Sequence, residues 1–169
     1  VTIITSPDLV VEQARRDVMV AEAAPNQRSL PDWHRLSAAF RGEIGWSPGD
    51  HLITRWASDF ANLHRERRVN PKRAVEIDCR RTQIIHLIDD WTEKYVDTGR
   101  GKGSPRRSVG AAVDAMAAAY IAAECCLMAA ENASDDTVHA AWVRVAGLAC
   151  SWNDLVAQNP GPWRPSRQE

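Results

Sequence analysis

Aromatic residues other than Trp are scarce: two Phe and two Tyr stand beside seven Trp. Lysine is scarce as well, with 3 Lys against 18 Arg. GC-rich codon usage favours both biases, so the excess of arginine is not by itself a function. Net charge is also lacking. A formal charge of -1 removes any global electrostatic reason to expect nucleic acid. No CxxC or CxxH pair occurs among Cys79, Cys125, Cys126 and Cys150. They read as small, buried apolar residues in a reducing compartment rather than as a metal or redox set. No apolar run approaches membrane-spanning length without a charge, and no basic-then-apolar leader opens the chain. The expectation is therefore a cytoplasmic protein with no membrane partner. Glu-x-x-His is absent throughout, which argues against a ferritin-like di-iron site. The P-loop spacing Gly-x-x-x-x-Gly-Lys-Ser/Thr is absent too, and no segment alternates as a strand does.

What the sequence does have is helical periodicity. Its 169 residues, 44% apolar and 25% charged, suit a single domain, 1–169, with a sizeable core. The longest signal runs from Asn70 to Val96, with Asn70 as a cap and Pro71 in the first turn. Ala74, Ile77, Ile84, Ile88, Trp91 and Tyr95 recur there at three- and four-residue steps. Asp8 to Ala23 and Leu30 to Phe40 read as shorter helices, and Gly42 to Asp50 as a loop. Asp50 then caps a helix over His51 to Arg68, buried through Leu52, Trp56, Phe60 and Leu63. Thr98 to Arg107 reads as a flexible basic loop. An alanine-rich helix from about Pro105 to Asn132 follows, with Val109, Val113, Met116, Tyr120 and Leu127 along one face. Ser134 caps the last helix, whose stripe is Val138, Trp142, Val145, Leu148, Trp152 and Leu155, and 159–169 is a tail. The expected fold is all-α, a compact bundle of four long helices plus one or two shorter N-terminal ones.

Polar residues on faces built for burial are the candidates for chemistry. Arg81 lies inside the apolar stripe of the central helix, and Asp78, three residues earlier, can reach it. A buried charge needs a partner, so these two form either an ion pair or part of a ligand pocket. His64 and Glu66 end the preceding helix. With Asp78 and Arg81 they make up the candidate catalytic set. Asp89, Asp114 and Glu124 are the candidate metal ligands, should their faces converge. Arg100, Lys102, Arg106 and Arg107 in the basic loop are candidate anion ligands at a helix start. Arg65, Arg67, Arg68, Lys72 and Arg73 make a second basic cluster at the tight turn before the central helix.

Three stretches resemble a bacterial family of all-helical proteins catalogued only as a domain of unknown function. They are Phe60-Ala-Asn-Leu-His-Arg-Glu66, then Lys72 to Asp78 with Arg81 and Ile88-Asp89, then Val113-Asp114 through Tyr120. The similarity spans roughly residues 50 to 130 and lacks the family's second aromatic before the His. It implies a helical fold and an interest in His64, Glu66, Asp78, Arg81 and Asp114, with no activity attached.

Together these features lead to a noncatalytic helical-bundle protein that binds or scaffolds, acting as a homo-oligomer such as a homodimer, with a further protein partner open. No cofactor is expected. The alternatives are a small enzyme using a divalent metal on a phosphorylated substrate, or a weak nucleic-acid binder, which the charge balance does not favour.

Overall fold

Apolar residues at three- and four-residue spacing produce five α-helices in the computed structural model, which describes residues 29–96, 108–132 and 136–158. They are α1 (Trp33–Phe40), α2 (Leu52–Val69), α3 (Ala74–Tyr95), α4 (Val109–Ala129) and α5 (Asp136–Gln158). A 3-10 turn, Pro71–Arg73, joins α2 to α3. The fold is the all-α bundle that the periodicity implies. The helix expected over Asp8 to Ala23, the Ser134 cap, the basic loop 98–107 and the tail 159–169 lie outside the described residues.

Helix α4 is the spine, packed against α2, α3 and α5 and more lightly against α1. The short turn makes α2 and α3 antiparallel: the His51 ring lies edge-on to Trp91, and Arg67 reaches Asp78. Helices α3 and α4 are antiparallel as well, because Asp89 meets Gly110 while Arg81 meets Asp114. Helices α2 and α4 therefore run the same way, and their C-terminal ends share one end of the bundle. Alanines on α4 permit close approach, and Gly110 lies directly against the backbone of Ile85. The core joins Leu36 and Phe40 of α1 to Ile53, Trp56 and Phe60 of α2, Ile77, Ile84 and Ile88 of α3, Val113, Met116 and Ile121 of α4, and Trp152 of α5. By length and composition α4 is the one helix among the described residues able to cross a membrane; 44% of that stretch is buried inside the bundle.

Several local expectations are corrected. His51, not Asp50, caps α2: its Nδ1 accepts from the Ile53 amide at 3.2 Å. Asp50 instead turns back into its loop, where its Oδ2 accepts from the amides of Gly45 at 2.8 Å and Ser47 at 3.0 Å. Burial opposes charge on Asp50, but these amides outweigh it and hold the carboxyl below its ordinary range. Asn70 caps nothing with its side chain; its amide closes α2 on the Glu66 carbonyl, so α3 starts only at Ala74. Leu127 is partly exposed rather than buried. The cysteines are not core residues either. Cys79 and Cys150 fall on outer helix faces and are exposed, and Cys125 and Cys126 are half-buried.

Because its Nδ1 is an acceptor, the His51 proton belongs on Nε2, which donates to the Ser29 carbonyl at 2.8 Å. The buried ring thus starts α2 and pins the segment entering α1. We expect His51→Ala to lower stability by about 1–2 kcal/mol. Urea unfolding checks this, and an unchanged midpoint would remove the cap from the list of stabilising contacts.

A chain of charges across three helices

Asp114 faces inward from α4 because it falls one position after Val113 and two before Met116, both buried. A carboxylate placed there needs donors from the neighbouring helices. Arg81 of α3 supplies two, Nε to Oδ1 at 2.9 Å and Nη2 to Oδ2 at 2.6 Å. His64 of α2 supplies the third, Nε2 to Oδ1 at 2.9 Å. These three donors occupy most of the roughly four lone-pair positions of a carboxylate. The side chains of Asp114, His64 and Arg81 are 10%, 11% and 22% exposed, so the junction is largely dry.

The chain of charges continues outward. Arg81 Nη1 donates to Asp78 Oδ1 at 2.7 Å, and Asp78 accepts a two-pronged pair from Arg67 at 2.9 and 3.0 Å. Signs alternate along it: Asp114, Arg81, Asp78, Arg67. Burial opposes ionisation of Asp114, but the hydrogen bonds from His64 and Arg81 outweigh it, and the carboxyl sits below its ordinary value. The Arg67 hydrogen bond, aided by Arg81 and opposed by burial, moves Asp78 the same way.

The structure thus brings together His64, Asp78, Arg81 and Asp114. It does not bring in Glu66, which pairs with Arg73 near the turn. Asp89 and Glu124 lie elsewhere. Asp89 accepts from the Ser108 hydroxyl at 2.6 Å and the Gly110 amide at 2.8 Å, fixing the start of α4, whose Ser108 caps it through the Ala111 amide. Glu124 accepts from Arg65 Nη2 at 3.1 Å. The same Arg65 nitrogen donates to the Phe40 carbonyl at 2.7 Å and so ties the end of α1 to α2 and α4. Asp89, Asp114 and Glu124 do not fit a shared divalent cation, since each already serves donors of its own. Among the described residues no group of three or more His, Cys, Asp and Glu is placed to hold a metal. The candidate anion ligands Arg100, Lys102, Arg106 and Arg107 lie outside the described residues.

Sequence reasoning did not find the roles of Arg65 and Arg67. Both were visible only as members of a basic cluster, and three of that cluster's five charges prove to be committed. Arg65 holds Glu124, Arg67 holds Asp78, and Arg73 holds Glu66 and, at 2.5 Å, Glu76. Arg68 and Lys72 have no carboxylate partner among the described residues. No protein-family model, curated protein or solved structure matches the chain, so the resemblance noted above rests on the residues quoted for it.

Proposed function

We propose that this is a noncatalytic helical-bundle protein that acts by binding, as a homo-oligomer. One observation carries the reading: the charges on faces built for burial are taken up by one another. Asp114 serves Arg81 and His64, Asp78 serves Arg81 and Arg67, and Glu124 serves Arg65. A site that activates a metal or a substrate keeps such groups available, whereas a scaffold uses them to fix helix register. Meanwhile apolar side chains stand outside: Trp46, Val69, Val75, Met128 and Val143 are all more than half exposed. Exposed apolar groups of this size favour contact with another protein surface. Sedimentation velocity across a concentration series tests the reading. A species of two or more chains is expected, and a monomer at every concentration overturns it.

A second reading has one specific support. With Nε2 held by Asp114, the Nδ1 of His64 makes no hydrogen bond among the described residues and is the ring atom left to meet a ligand. Binding of a small ligand that is lost in His64→Gln while assembly persists would favour this reading over the first.

A further inference from the structure

The C-terminal ends of α2 and α4 lie at one end of the bundle, and that end is divided by charge. On one side the turn between α2 and α3 carries Arg68 and Lys72, neither with a carboxylate partner among the described residues, beside Val69 and Val75, which are 76% and 79% exposed. On the other side α4 ends in Met128, 87% exposed. Glu131 just beyond it and Asp136 at the start of α5 are exposed and likewise without a partner among the described residues. The Arg65–Glu124 pair joins the two helices one turn before Val69 and Met128, so the basic half and the acidic half are neighbours.

We infer that this end binds the same end of a second copy of the chain. A two-fold axis between the halves lays the basic half of one copy on the acidic half of the other, and does so twice. Val69 and Val75 then meet Met128 of the second copy while the charges pair around them. One surface satisfies both members, as an isologous interface requires. The inference rests on the homo-oligomer reading and specifies the surface through which the copies meet. Charge complementarity selects a second copy over other occupants, because each half supplies what the other lacks.

The test uses two full-length variants, Arg68→Glu with Lys72→Glu, and Glu131→Lys with Asp136→Lys, each checked by circular dichroism. Each variant alone places like charges across both contacts. The dissociation constant of the wild-type assembly should rise about tenfold or more in each, read by sedimentation equilibrium at low salt. Mixing the two variants should restore assembly, because the reversed basic half of one meets the reversed acidic half of the other at one contact, and their two unaltered halves meet at the second. Wild-type assembly should also weaken as salt is raised. Undiminished self-association of both variants, or no recovery on mixing, would overturn this interface while leaving the oligomer reading intact. A wild-type monomer would remove both.

Discussion

Gly110→Ala is expected to destabilise the protein by about 3 kcal/mol, although alanine is the better helix former. A Cβ at position 110 would lie 2.4 Å from the Ile85 carbonyl oxygen and 2.8 Å from the Ile85 Cα. Both atoms are backbone, so no rotamer change makes room. Helices α3 and α4 must move apart at the place where Asp89 holds the Gly110 amide and the Ser108 hydroxyl. Those hydrogen bonds stretch along with the packing. Gly147 on α5 is the control: an added Cβ there meets nothing within 4 Å. Only helix propensity acts at that position, and Gly147→Ala should stabilise by roughly 0.5–1 kcal/mol. Urea unfolding of the two variants should shift the midpoint in opposite directions. Stabilisation by both would mean that α3 and α4 do not approach so closely.

The second large effect belongs to Asp114. Removing one member of a buried pair leaves the other charged and unpaired, which costs about 3–5 kcal/mol. Asp114 is 10% exposed and Arg81 22%, and Arg81 keeps its hydrogen bond to Asp78, so water and that carboxylate relieve part of the cost, and Asp114→Ala should lose about 3 kcal/mol at neutral pH. The pH dependence has a definite sign. The folded carboxyl lies below its ordinary value, so the unfolded chain binds this proton more readily than the folded one. The contribution of Asp114 is complete above the ordinary Asp value of about 4 and is lost as pH falls through the lower folded value. Asp78 acts in the same direction. Asp114→Asn should therefore be less stable near neutrality and show a flatter acid limb. Urea midpoints from neutral pH downward check this, and parallel acid limbs for wild type and variant would exclude Asp114 as a source of acid sensitivity.

Helix identity was legible because burial on one face leaves a period. Leu52, Trp56, Phe60 and Leu63 are all buried as their spacing implied, and so are Ile77, Ile84, Ile88 and Trp91. An arginine inside that stripe was legible as a paired charge, and Asp78 was identifiable as a partner because i,i+3 neighbours meet on a helix. Asp114 could not be identified as the larger partner, since it is 33 residues away and its meeting with Arg81 depends on the register of α4 on α3. The same holds for His64, 50 residues from Asp114. Caps failed for a different reason. Asp50 and Asn70 are ordinary capping residues, but Asp50 is drawn to backbone amides of its own loop, and Asn70 ends α2 through its amide while its side chain makes no cap bond. Small residues misled as well: a cysteine fits an outer face as readily as a core, and only the packing partner decides. Helix α5 shows this, since it packs chiefly on α4 and leaves Cys150 and Val143 outside.

The most direct measurement is a double-mutant cycle on Arg81 and Asp114, both changed to Ala singly and together, read by urea unfolding. If the two charges hold each other and the helices beneath them, the double variant should lose less than the sum of the singles, with a coupling of about 2 kcal/mol. Costs that add to within about 0.5 kcal/mol would mean the charges do not depend on one another. In that case the centre of the bundle would be free to serve a ligand rather than the fold.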